Sequence, residues 1–225
     1  MSRPVKIDWP ASDEHAICLP QQLAAAGNLI LNGALVKREG SIAYAEFTSL
    51  ERTVTLTSAA DLSGINFTIN GTLRGNVVSI PYTGPNATTD ETIALFTTIT
   101  SIHADAPVPA DISIGSGLTG NTFWVPSDFN RSVNSATVGV NVLAGNITYS
   151  FETCLEDPFK TAAPFIFTPI DGVTIPTIPP ATAMAAATVS CVANYAWPTH
   201  SSRIRVSAAN ATGALDFYFL EQGID

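Results

Sequence analysis

The sequence predicts an all-β protein: two tandem antiparallel domains of sandwich or barrel-like form, preceded by an extended N-terminal arm. The first observation is alternation. Ile65, Phe67 and Ile69 alternate with Asn66, Thr68 and Asn70, and Val54 and Leu56 alternate with Thr53, Thr55 and Thr57. Successive strand side chains point to opposite faces, so each run offers one apolar face and one Thr/Asn face. That pattern fits antiparallel strands with one side in a core and the other wet. The second observation is punctuation. Turn signals at Ser63-Gly64, Asn70-Gly71, Gly75-Asn76, Gly84-Pro85-Asn86 and Pro107–Pro109 cut the chain into short runs, as in sandwiches and barrels. A chain of 225 residues can make one large β domain or two ordinary ones.

Residues 1–40 are expected to form the arm with a small hairpin. Pro4, Pro10 and Pro20 favour extended backbone, and Gln21–Ala26 is compatible with a short helix. Asn32-Gly33 separates Leu29–Leu31 from Ala34–Val36, and Asn-Gly favours a type I′ hairpin turn because both residues tolerate positive φ. Such an arm either lashes subunits together or is a frayed terminus. Residues 41–117 are the first β domain, with strands near 42–48, 53–57, 65–72, 76–82, 92–100 and 111–115. Asn70-Gly71 either turns the chain or ends its strand, with the turn then running through Leu73–Gly75.

Residues 118–136 read as a linker. Its aromatics, Phe123, Trp124 and Phe129, either plug a domain junction or meet a neighbouring subunit. Residues 137–225 are the second β domain. Val138, Val140 and Val142, a turn at Ala144–Asn146, then Ile147, Tyr149 and Phe151 read as one hairpin. Ile204 and Val206, a turn at Asn210–Gly213, then Leu215, Phe217 and Phe219 read as another. Between them lies a Pro/Ala-rich excursion at 158–198. A loop of that length inside a compact domain usually serves function or assembly.

Composition narrows the function. Charged residues are 13% of the chain and the net charge is −9. Sparse charge fits a Thr/Asn/Ser-rich exterior with surface buried against partners. The acidic balance opposes direct nucleic-acid binding, which rests on cations against phosphate. No run of about 18 apolar residues is present, so no membrane span is expected. The apolar stretch Ile175–Ala187 contains Pro176, Pro179 and Pro180, which a regular helix does not tolerate. The N-terminus lacks the apolar core of a secretory signal. Cys18, Cys154 and Cys191 are odd in number and widely spaced, and read as reduced thiols of a protein assembled in a cytoplasm. The N-x-S/T sequons at Asn66, Asn70, Asn86, Asn130, Asn146 and Asn210 are then a product of Asn/Thr-rich composition.

No catalytic, cofactor-binding or metal residues are expected, and no cofactor. Nucleophile-elbow, zinc-protease, phosphate-loop and paired-cysteine motifs are all absent from the sequence. Asp13-Glu14-His15 reads as a solvated cluster. Asp90-Glu91 and Glu156-Asp157 read as loop acids without the ligand-bearing loop that calcium needs. Gly115-Ser116-Gly117 is too short to cradle a phosphate without a following helix. Arg203 and Arg205 share one strand face, and Asp216 is expected opposite them as a cross-strand ion pair or an inter-subunit bridge.

The order TLTSAADLSGINFTINGT, TGPNATTDET, FTTITSI and ISIGSG resembles a β-domain of virion structural proteins of tailed bacteriophages. SSRIRVSAANATGALDFYFLEQG resembles the closing strands of such proteins. Met1–Gly40 and Pro158–Trp197 lie outside the resemblance. It implies a non-enzymatic capsid cement or decoration protein on the capsid exterior. Its implied partners are the major capsid protein and copies of itself as a homotrimer, with no direct nucleic acid and no membrane. The alternatives are a tail or neck component, or a fibre module that stacks glycans on Trp124, Trp197 or Tyr195.

Overall fold

The computed structural model describes residues 4–127, 135–154, 156–158, 160, 166–167, 187–195 and 201–222. Strands are the only regular elements among them. In chain order they are β1 (Pro4–Trp9), β2 (Cys18–Leu23), β3 (Gly27–Asn28), β4 (Val36–Glu39), β5 (Ile42–Glu46) and β6 (Leu50–Thr57). Then come β7 (Asn66–Leu73), β8 (Asn76–Thr83), β9 (Thr89–Glu91), β10 (Thr98–Ala104), β11 (Val108–Thr122) and β12 (Val125–Pro126). The last are β13 (Ser135–Ala144), β14 (Ile147–Cys154), β15 (Ile166–Phe167), β16 (Cys191–Tyr195), β17 (Ser201–Ala209) and β18 (Ala214–Gln222). The pairings are antiparallel. The chain divides into two compact units, Met1–Ala11 with Asn121–Asp225, and Ser12–Gly120.

In the Ser12–Gly120 unit, one sheet has the order β4-β5-β10-β7-β8, with β3 also on β10. Ile65, Phe67 and Ile69 are buried as the alternation expects, and Ile99, Ile102 and Ala104 of β10 join them. The β7–β8 turn falls at Arg74-Gly75, where φ is 53° and 80°, the paired positive values of a type I′ turn. Gly71 therefore sits inside its strand. A Cβ there would collide with the Thr98 carbonyl oxygen, beside the irregularity between Ile99 and Ser101. Phe67→Ala should cost about 3–5 kcal/mol and Thr68→Ala under about 1 kcal/mol in urea melts. The reverse order would overturn this register.

The same unit holds β6 between β11 and β9, with β2 on β11. Here the expectation of a wet threonine face fails. Thr53 and Thr55 are as buried as Val54 and Leu56, because a central strand is covered on both faces. Hydrogen bonds within the protein reach Thr53: its Oγ1 lies against the Glu91 carboxylate and 3.0 Å from the Thr119 carbonyl oxygen, with one proton to share between these two acceptors. The strand expected at 92–100 starts at Thr98 instead, and Thr92 is drawn into a loop whose Oγ1 accepts from Val54 N at 3.0 Å.

Residues 1–40 do not behave as one arm. Pro4–Trp9 is an edge strand on β18, with Ile7 and Trp9 buried. Cys18–Leu23 pairs with β11. The prolines misled because edge strands and strand starts tolerate them. Gln21–Ala26 is not helical: Gln21 uses its amide as a strand surrogate, accepting from Ile30 N at 2.8 Å and donating to Ile30 O at 3.0 Å. The hairpin is β4–β5, turned at Gly40 with φ 62°, not at Asn32-Gly33. Asn32 N and Gly33 N instead donate to the Ile17 carbonyl at 3.1 and 3.0 Å. A Cβ on Gly33 would strike the backbone of His15 and Ala16, so close approach explains this glycine.

In the other unit, one sheet has the order β1-β18-β13-β16. Beside it β17 carries β14 and β12, and β14 carries β15. Both expected hairpins are corrected. β13 pairs with β18, and β14 with β17, so each turn carries the chain from one sheet to the other. The two turns brace each other: Asn210 N donates to Asn146 O at 2.9 Å, and Asn146 N to Asn210 Oδ1 at 3.2 Å. Phe151 and Phe217 bring the two sets of strands together, with ring centroids 6.5 Å apart. Period-two alternation is the same for a hairpin and for an arch between sheets, which is why the sequence misassigned them. The expected linker at 118–136 also changes: 118–122 ends β11, and Val125–Pro126 pairs with β17. Most of the 158–198 excursion and Phe129 lie outside the described residues.

Candidate functional site

The Arg203 cluster is built by direct opposition across β14 and β17, where Glu152 faces Arg203. Arg203 Nε and a terminal nitrogen each lie 2.7 Å from Glu152 Oε2. The guanidinium carbon stands 4.4 Å from the Trp124 ring centroid. All three side chains are buried. A planar, weakly hydrated guanidinium suits this setting, because it can pair at its edge and stack on its face. The expected Arg203/Arg205–Asp216 pair does not form, since β17 and β18 belong to different sheets. Arg205 is exposed, 3.7 Å from Glu152 Oε1.

Asp216 joins a second cluster with Lys6, Asp8 and Tyr218. Lys6 Nζ lies 2.7 Å from Asp8 and 3.2 Å from Asp216, and Tyr218 OH donates to Asp216 at 3.0 Å. The carboxylates hold the Lys6 ammonium well above its ordinary range, chiefly through its hydrogen bond to Asp8. Lys6 in turn holds the Asp8 carboxyl low. The hydrogen bond to Asp216 raises the Tyr218 phenol.

In the Ser12–Gly120 unit, the expected loop acid Glu91 sits on β9, and its Oε1 accepts from Leu118 N at 2.8 Å and Thr119 N at 3.0 Å. Buried Arg52 donates to the Gly117 carbonyl, 3.1 Å from Nε, and burial lowers its guanidinium to about 10. Glu51 is buried against Arg74, with Oε2 accepting at 2.8 Å. The glycines of ISIGSG answer to packing. A Cβ on Gly115 would strike Asp13 and Glu14, and one on Gly117 would strike Thr53.

Asp13-Glu14-His15 forms a turn: Asp13 Oδ1 accepts from His15 N at 2.8 Å, and Ser116 Oγ accepts from Asp13 N at 3.0 Å. Glu156 and Asp157 are neighbours of Cys154, whose thiol donates to Glu156 O at 3.2 Å. Asp105 accepts from Asn66 N and Nδ2, both at 2.9 Å, and these bonds lower its carboxyl. Among the described residues no group of His, Cys, Asp and Glu could hold a metal ion. Trp124 is covered rather than offered as a platform. Trp197 and the side chain of Tyr195 lie outside the described residues.

Cys18 and Cys154 are buried free thiols, and burial pushes Cys18 up to about 12. A thiol raised by folding stabilises the native state fully below its unfolded value of about 8.5. That stability is lost as pH rises from there toward the folded value. Cys18 should therefore resist a disulfide-exchange reagent at pH 8 until denaturant is added, as peptide mapping would show. Native labelling at the rate of a free thiol would contradict its burial.

The comparisons with known proteins add no relative: no protein-family model matches the chain, and no curated protein matches it.

Proposed function

We propose that this chain is a non-enzymatic structural protein of a tailed-bacteriophage virion, a cement or decoration protein on the capsid exterior. Its fold in this reading is two β-sandwich domains in tandem. Its partners are the major capsid protein and copies of itself, as a trimer at local three-fold positions, assembled in the host cytoplasm. The observation that carries the reading is exposed apolar surface on a weakly charged chain. Ile93 is 97% exposed and Val77 86%, while charged residues are only 13% of the sequence. In this reading the capsid protein or a neighbouring copy covers these side chains. The resemblance of the Thr55–Gly117 and Ser201–Gly223 segments to virion β-domains points the same way. A net charge of −9 keeps such a protein off the packaged nucleic acid.

Each bound copy adds modest free energy, and symmetry repeats it over the shell. Particles made without the protein should then release DNA at lower temperature, and added purified protein should restore the release temperature. Release unchanged by its removal, in particles shown to carry it normally, would contradict the cement role.

A further inference from the structure

The sheet β4-β5-β10-β7-β8 ends on β4 at one side and β8 at the other. An end strand presents unpaired N–H and C=O groups, and the same strand of another copy can pair with them. The β4 end is short, and Lys37, Arg38 and Glu39 on it are exposed. Short length and charge both oppose edge-to-edge pairing. The β8 end has neither. Its eight residues, NVVSIPYT, carry no charge, and Val77 is 86% exposed.

The register shows which backbone groups β8 leaves bare. Leu73 and Asn76 flank the two-residue turn at Arg74-Gly75, so they exchange hydrogen bonds. Bonded and non-bonded pairs alternate along an antiparallel ladder. At the far end Gly84 N donates to Ile65 O at 2.8 Å, in phase with that alternation. Asn76, Val78, Ile80 and Tyr82 therefore bond to β7. Val77, Ser79, Pro81 and Thr83 turn their backbone away from it, and no further strand follows β8 among the described residues. Pro81 is the outward position that has no N–H to offer. It lies inside the bare set, between Ser79 and Thr83. A strand laid along β8 would need a donor there and would meet the pyrrolidine ring instead. Toward β7 the proline disturbs nothing, because Thr68 and Pro81 form a non-bonded pair.

We propose that Pro81 is an edge guard: it stops a second copy of this chain from extending the sheet through β8. Copies then meet through side chains and not through a shared backbone ladder. Val77 projects from the sheet face, so its side chain stays free for such contact. The same sheet is thus closed to self-addition at both ends, by charge on β4 and by a missing donor on β8. The inference stands apart from the virion reading, since it concerns what this edge excludes.

Hydrogen exchange on the full chain is the first test. Amides of Val77, Ser79 and Thr83 should exchange at least about ten-fold faster than those of Val78, Ile80 and Tyr82. Slow exchange at the outward three would show the edge already covered and overturn the proposal. Pro81→Val restores the N–H without charge. It should self-associate at least about ten-fold more tightly than the parent in sedimentation equilibrium, with the Val77, Ser79 and Thr83 amides becoming protected. Pro81→Lys restores the same N–H but charges the edge, and should sediment as the parent does. A Pro81→Val protein of parental size, or one whose association leaves those amides fast, overturns the proposal. Urea midpoints of both variants should stay near that of the parent. A marked fall would mean that the proline serves the fold, and the proposal would fail.

Discussion

Removing residues 1–10 should abolish cooperative folding of the unit that contains Asn121–Asp225. β1 covers one edge of β18 over six paired positions from Pro4 to Trp9, and it puts Ile7 and Trp9 into the core. Loss of a buried tryptophan alone costs about 3–5 kcal/mol, a large part of a typical stability of about 5–15 kcal/mol. Truncation adds the loss of Ile7 and exposes a bare strand edge. Hydrogen exchange reads the outcome directly: amides of β13 and β18 should exchange at nearly unfolded rates in the truncated chain. Full-length protection of β18 after truncation would return these residues to the status of a dispensable arm.

Glu152→Ala should be the most damaging single change at a polar position, at about 3–5 kcal/mol. It removes the carboxylate oxygen that faces two nitrogens of the buried Arg203 guanidinium, while Trp124 still covers its face. Replacing both residues, as Glu152→Leu with Arg203→Leu, should recover most of the loss, because a dry apolar pair needs no desolvated charge. Arg205→Ala should cost under about 1 kcal/mol, since that side chain is exposed and its pairing is loose. Urea melts of the three variants separate these effects. A Glu152→Ala protein as stable as Arg205→Ala would mean that the pair contributes nothing.

These positions also show what the sequence could reveal. The inward set Ile65, Phe67 and Ile69 was legible because one slip of register would expose all of them. Strand partnership was not legible. Leu215, Phe217 and Phe219 have the same pattern whether they pair with β17 or with β13, and only the second is true. The Arg203–Asp216 expectation failed for that reason: across β14 and β17 it is Glu152 that faces Arg203. Thr53 and Thr55 looked wet because their hydroxyls are polar. Their burial depends on strands far away in sequence, including the Leu118–Thr119 backbone that also holds Glu91. The glycines divide in the same way. The sequence left the β7–β8 turn open between Asn70-Gly71 and Leu73–Gly75, and it falls at Arg74-Gly75, whereas Gly33, Gly115 and Gly117 answer to close approaches between distant segments. Asp8 and Asp216 lie far apart in the chain, and only the β1–β18 pairing brings them together with Lys6 beneath Tyr218.

Copy number in the particle tests the cement reading most directly. Purified virions, resolved on a denaturing gel and quantified by densitometry against the major capsid protein, give it in one measurement. A cement protein repeats with the symmetry of the shell, so the account predicts a stoichiometry comparable to that of the capsid protein itself, hundreds of copies per particle. About a dozen copies or fewer would place the chain at the neck or tail and contradict the account.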